Sequence, residues 1–193
     1  MQYFCTALIS IFLFVNSAYA MEGSRMGYGV SLRQLTVEDP DGDVPAKTDF
    51  GFLNLYYFDE YSRDTRYYIE FSLLDTDIDA EGTKIGQNIA SSGIRTSFQK
   101  RLRLGRLFKP WVGAGAGVFQ EEFTQRHTID ADGFLLNTFP DRDSTHLVLS
   151  VDAATEWQLN DNFDLGVRLL YGLPLDDGTG GISVTAILLF KGL

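Results

Sequence analysis

Two histidines, two aspartate triplets and one glycine run are the places where this sequence could do chemistry. His146 and Ser150 would suit nucleophilic catalysis, which needs a ring nitrogen and a hydroxyl about 3 Å apart. In an extended strand the two share a face but lie roughly 13 Å apart, too far for a direct hydrogen bond. His127 falls in a long connection. Asp39-x-Asp41-x-Asp43 and Asp75-x-Asp77-x-Asp79 could begin an oxygen cage for calcium. An EF-hand loop also requires Gly at position 6 and Glu at position 12. Those positions hold Val44 and Phe50 in the first case, Ala80 and Gly86 in the second. The triplets therefore read as solvated acidic loop tips, and no metal or cofactor is expected. The run WVGAGAGVF carries Gly113, Gly115 and Gly117, part of a dinucleotide fingerprint. That fingerprint must follow a strand and open a helix. Here Val118 stands where the third glycine should be, and the chain continues as FQEEF.

The elements that position these residues are strands. Apolar and polar residues alternate with period two, so each segment has two unlike faces. Leu147, Leu149, Val151, Ala153, Thr155, Trp157 and Leu159 oppose His146, Val148, Ser150, Asp152, Ala154, Glu156 and Gln158. The pattern predicts eight strands, over 26–36, 48–58, 65–74, 87–99, 109–123, 146–159, 163–173 and 182–190. Residues 48–58 are apolar on both faces, and their sidedness is not readable. No convincing helix is found. Long acidic connections (37–47, 75–86, 124–145, 174–181) alternate strictly with shorter ones (59–64, 100–108, 160–162).

The chain has 193 residues and a net charge of −10, which argues against a nucleic-acid partner. Its first twenty residues are uncharged, with an apolar run from Ala7 to Val15 and an Ala18-Tyr19-Ala20 triplet. They read as a signal peptide, 1–20, leaving one domain, 21–193. Cleavage removes Cys5, the only cysteine. No later stretch is long and apolar enough for a helical membrane span.

An exported chain of two-faced strands about ten residues long matches tilted transmembrane strands. Aromatics gather near the short connections: Phe58, Tyr61, Tyr67, Tyr68, Phe98, Trp111, Trp157 and Phe163, with Phe190 near the end. Amphipathic rings prefer the headgroup level, so they read as a girdle. Strict parity puts Trp111 on the glycine side; a bulge near Pro110 would restore it to the girdle. Hydrocarbon cannot satisfy an open sheet edge, so the first strand must pair with the eighth. The expected fold is all-β, an eight-stranded antiparallel up-and-down transmembrane barrel.

Three features carry a resemblance: the Ala18-Tyr19-Ala20 signal, the run from Lys109-Pro110-Trp111 to Gly117, and the closing strand ending in Phe190. Over the mature chain the sequence resembles the small eight-stranded outer-membrane β-barrels of Gram-negative bacteria, the OmpA/OmpX-like barrels. Such proteins commonly end on the aromatic; here Lys191, Gly192 and Leu193 follow it. The resemblance implies outer-membrane lipid, lipopolysaccharide and the barrel-assembly machinery as partners, and a monomer. Divalent ions could bridge the acidic triplets to lipopolysaccharide phosphates. Some relatives are lipid A-modifying hydrolases, but their closely spaced His-x-Ser is absent here.

Eight strands enclose an interior that side chains just fill, which argues against a general porin. The inward faces carry Arg33, Glu70, Arg95, Asp152, Glu156, Asp164 and Arg168, with Ser31, Ser72, Ser91 and Ser97. Buried charges must be paired, so an ion-pair network is expected. A three-residue hairpin at 160–162 sets Arg168 opposite Ala154 and diagonal to Asp152 and Glu156, its expected partners. Gly113, Gly115 and Gly117 are expected to face the lumen and leave room for bulky neighbours from across it. The basic run Lys100, Arg101, Arg103, Arg106 and Lys109 reads as a charged turn. The function expected is a non-enzymatic outer-membrane protein with an envelope or surface role. The alternatives are a narrow pore or a lipid A hydrolase.

Overall fold

A computed structural model of the chain describes residues 24–104 and 109–191. The expected signal peptide, Arg106, Gly192 and Leu193 lie outside the described residues. The strands are β1 (Arg25–Val37), β2 (Lys47–Ser62), β3 (Thr65–Ile78), β4 (Gly86–Arg101), β5 (Trp111–Ile129), β6 (Leu135–Thr138), β7 (Arg142–Gln158), β8 (Phe163–Pro174) and β9 (Thr179–Lys191). Among the described residues there is no helix.

Eight strands form one closed antiparallel wall; β6 is a short branch paired with the end of β5. Closure is made by β1 against β9, in register from Arg25↔Lys191 to Val37↔Thr179. Arg25 and Lys191, near the two ends of the described residues, therefore meet at one rim. Alternation sorts the side chains as the sequence pattern requires. Tyr28, Val30, Leu32, Ile94, Leu147, Leu149, Val151, Leu169, Val184 and Leu188 point outward and are exposed. Ser31, Glu70, Ser97, Asp152, Asp164 and Arg168 point inward and are buried. An apolar belt on this scale needs an apolar solvent around it.

Two bulges account for the segments that resist a period-two reading. Gly29 pairs with Asn54, but Ser31 pairs with Gly51, so β2 carries one extra residue there. Inward parity changes across it: Gly51 is buried on one side, and Asn54, Tyr56 and Phe58 on the other. That switch is why 48–58 is apolar on both parities. In β5, Gln125 adopts φ 54° and the register slips by one between Gly86↔His127 and Asn88↔Thr124. Beyond it Arg126 and Thr128 turn inward. The expected 124–145 loop is thus largely strand, with His127 inside β5.

The expected strict alternation of connection lengths does not hold. The 102–110 connection, at the rim with the chain ends, spans as many residues as 38–46 at the opposite rim, and 175–178 is short. Sequence length reads a loop's tether, not its height above the wall. Strands overrun their apolar stretch by different amounts.

The glycine run serves its neighbouring strand rather than the far wall. A Cβ on Gly115 would lie 2.0 Å from the Thr96 carbonyl oxygen, and one on Gly113 would lie 2.6 Å from that of Phe98. β5 and β4 approach too closely for any side chain between them. We expect Gly115→Ala to destabilise the barrel by about 1–3 kcal/mol, the usual range for overpacking. Gly166→Ala meets no atom nearer than 3.6 Å and should be tolerated. Urea unfolding in micelles, followed by gel mobility of unheated samples, separates the two; equal stability would show that β4 and β5 can part.

Candidate functional site

The lumen is built from inward positions of all eight wall strands. Its centre is Glu70, buried to 2%. Arg95 stands directly opposite on β4 and gives one Nη to Glu70 Oε2 at 3.0 Å. Arg168, from β8 on the other side of the barrel, donates to Glu70 Oε1 at 3.0 Å and to the Tyr56 hydroxyl at 2.8 Å. Tyr56 donates in turn to Glu70 at 3.0 Å. The Arg168 guanidinium also lies over the rings of Tyr56 and Tyr68, 4.7 and 4.9 Å from their centroids. One carboxylate therefore fastens two walls together.

Towards the chain ends lies a second layer. Arg25 reaches Glu60 at 2.7 Å, Glu156 at 3.0 Å and Asp164 at 3.1 Å. Arg66 pairs with Glu156 and donates to Gln99 at 2.6 Å. Trp111 is sandwiched between guanidinium groups, with Arg66 and Arg101 each 4.1 Å from its ring centroid. Asp152 accepts from Ser97 at 2.6 Å, from Tyr68 at 3.2 Å and from Gln99.

A third layer lies towards the loops. Glu121 accepts from Ser91 at 3.0 Å, from the Thr179 amide at 2.9 Å and from the Thr179 hydroxyl. His146 stacks on Phe119 and holds Nδ1 3.7 Å from Glu121, with neither ring nitrogen hydrogen-bonded. Ser150 Oγ also lacks a partner, so no His–Ser hydrogen bond joins them. Above, Arg126 binds Asp39 and Asp41, each at 2.6 Å, and Arg142 approaches Asp39 and Asp177 at 3.6 and 3.7 Å. This latch ties connections 38–46 and 175–178 to the rim of β5 and β7. The Asp39 side chain is buried within it, not a solvated tip, because Arg126 is turned inward by the Gln125 bulge.

Arg33, Glu70, Arg95, Asp152, Glu156 and Arg168 all have side chains on the inner face, but their pairing differs from expectation. Arg168 does face Ala154 across the β7–β8 hairpin. Its ion-pair partner is Glu70, while Glu156 is taken by Arg25 and Arg66. A long side chain in so narrow a lumen reaches the opposite wall more readily than its diagonal neighbour. Phe58 and Trp111 are corrections too: they lie in the lumen, 1% and 2% exposed, not in the girdle. No bulge precedes Trp111, which pairs in continuous register with Arg101. Tyr68 is likewise inward. Tyr67, Phe98, Trp157, Phe163 and Phe190 face outward, with Tyr67 opposite Phe98 and Phe163 opposite Phe190.

Arg25, Tyr56, Gln99 and Glu121 were not singled out by sequence. Gln99 and Glu121 share the inward parity of Ser97 and Gly117, which was the available signal. Among the described residues no cluster of three metal-ligating side chains forms. Arg103 of the basic connection pairs with Asp64.

No family model matches the sequence, and no curated protein matches it. Solved structures do match the fold. Neisserial surface protein A aligns with TM-score 0.62 at 14% identity, over 88% of this chain and 97% of its own. Ail, the attachment invasion locus protein of Yersinia pestis, aligns with TM-score 0.52 at 17% identity, over 88% and 100%. OprG from Pseudomonas aeruginosa aligns with TM-score 0.50 at 12% identity, over 87% and 92%. The fold is that of the small eight-stranded outer-membrane β-barrels.

Removing the shared carboxylate should be costly, because it leaves Arg95 and Arg168 buried without an ion-pair partner. We expect Glu70→Gln to lower unfolding free energy by about 3–5 kcal/mol, the range for breaking a buried pair. Replacement of the exposed pair member Asp64 by Asn should cost under about 1 kcal/mol. Equilibrium urea unfolding checks both; equal effects would show that the lumen charges are solvated.

Proposed function

We propose that this chain is an integral outer-membrane protein that acts without catalysis, through its loop end, in envelope structure or surface contact. The observation that carries the reading is the cross-lumen tie of Arg168 to Glu70 at 3.0 Å. With Tyr56 and Arg95 around it, and Arg66 and Trp111 in the layer towards the chain ends, paired side chains block the lumen there rather than leave a water column. The outward apolar belt suits lipid, and Tyr67, Phe98, Trp157, Phe163 and Phe190 form its interfacial girdle at the chain-end rim. Closure leaves no wall edge to pair with another copy, which favours a monomer.

The loop end supplies the contact surface. It carries Glu38, Asp41, Asp43, Asp79, Glu81, Asp130, Asp132, Asp141, Asp176 and Asp177, against Lys47, Lys84, Arg126 and Arg142. Ail has been crystallised with the heparin analogue sucrose octasulfate. A sulfated polysaccharide wants a cationic surface, and these loops are anionic, so that ligand class is not carried over. Divalent cations between these carboxylates and lipopolysaccharide phosphates fit the charge better.

The test is reconstitution of the refolded chain in planar bilayers. We expect no steady conductance at physiological salt, with the protein recovered from outer membranes and lipid A of unchanged mass. Steady ohmic steps would replace this reading with a narrow pore; a loss of acyl mass would replace it with a hydrolase.

A further inference from the structure

Between the Glu70 layer and the Glu121 layer the lumen is not full. A cavity of about 60 Å³ remains, partly open to solvent and lined by Arg33, Arg95, Glu70, Ser72, Phe119 and Thr185, among others. That is room for a small ion or several waters. Its charge is unbalanced. Glu70 is already bound on both oxygens, by Arg168 and Tyr56 on one and by Arg95 on the other. Arg33 donates only to neutral groups, to Ser31 Oγ at 2.9 Å and to Asn54 Oδ1. Among the described residues, no carboxylate lies within salt-bridge distance of Arg33. Arg95 uses one Nη on Glu70, and its Nε is buried with no partner.

The two flanking carboxylates do not correct this. Asp152, on the chain-end side, is held by Tyr68, Ser97 and Gln99. Glu121, on the loop side, is held by Ser91 and Thr179, with the His146 ring 3.7 Å away. Neither is within salt-bridge distance of Arg33 or Arg95. A partly buried guanidinium without a carboxylate partner is costly, and the cavity beside it opens to solvent and can admit a counter-charge.

We propose that this cavity binds a small oxyanion, a phosphate or a short carboxylate, between Arg33 and Arg95. Guanidinium forks match the paired oxygens of such groups better than they match a halide. The hydroxyls of Ser72 and Thr185 line the cavity and supply neutral donors. The site is independent of the passive-barrel reading, since an anion held here would further close the lumen.

The test uses the full mature chain refolded in an uncharged maltoside detergent. Inorganic phosphate is titrated calorimetrically at constant ionic strength, and acetate is tested as a competitor. Saturable binding is expected, weakened at least tenfold by Arg33→Gln and unchanged by Arg103→Gln, which alters an exposed arginine at the opposite rim. Retained affinity in Arg33→Gln, or no saturable binding to the wild type, would overturn the proposal. If Arg33→Gln does not refold, the wild type alone decides through its arginine side-chain Nε–H resonances. Phosphate should move those of Arg33 and Arg95 and leave that of Arg103; movement of all three equally, or of none, refutes the site.

Discussion

An inward polar side chain in an eight-stranded barrel has almost no bulk water to turn to. It must find its partner among the other walls, and the walls are close enough to provide one. The rest of this structure depends on that constraint. Glu70 is the clearest instance, because Arg95 beside it, Arg168 across from it and Tyr56 next to it converge on one carboxylate. The backbone ladder closes the wall, but hydrogen bonds between strands are indifferent to what fills the lumen. The ion pairs make the filling specific: each arginine selects a register of the strands that carry its partners. A slip by one residue would send Glu70 into lipid and leave two guanidinium groups behind.

The same constraint explains which parts of the architecture were legible in sequence. Alternation survives wherever one face meets hydrocarbon and the other a polar lumen, so β1, β4, β7, β8 and β9 could be read with their facing. It fails where a bulge switches parity. β2 looked apolar on both faces because Asn54 and Gly51 are both inward despite unlike parity. β5 looked like loop past Phe123 because Gln125 inverts the pattern and most residues beyond are polar. A bulge is a local backbone choice with weak side-chain signature, so periodicity alone does not announce it.

Residue type misled in a second way. Phe58 and Trp111 are aromatics near a rim, and the girdle is the ordinary place for such rings. Strict parity pointed Trp111 inward, and parity was right; Phe58 lies in the stretch whose sidedness was not readable. What the sequence could not display is that arginines from β3 and β4 would need faces to stack on: Arg66 lies on both rings, and Arg101 also on Trp111. Pairing across the lumen was equally out of reach. Sequence fixes neighbours along a hairpin, as it did for Arg168 and Ala154, but the Arg168–Glu70 contact depends on barrel diameter and shear.

Net charge and local charge then point in opposite directions. A chain at −10, with acidic loops, looks repellent to anions. The cavity runs from Thr179, at the loop end of β9, down to Glu70, which is eight positions from the end of β3 at Ile78. At about 3.3 Å per residue and a tilt near 40°, that is on the order of 20 Å along the barrel. Exposed charges at such a range are largely screened when the Debye length is about 8 Å. Arg33 and Arg95 line the cavity itself and are partly buried. The uncompensated guanidinium therefore sets the sign of the potential there, whatever the chain's total charge.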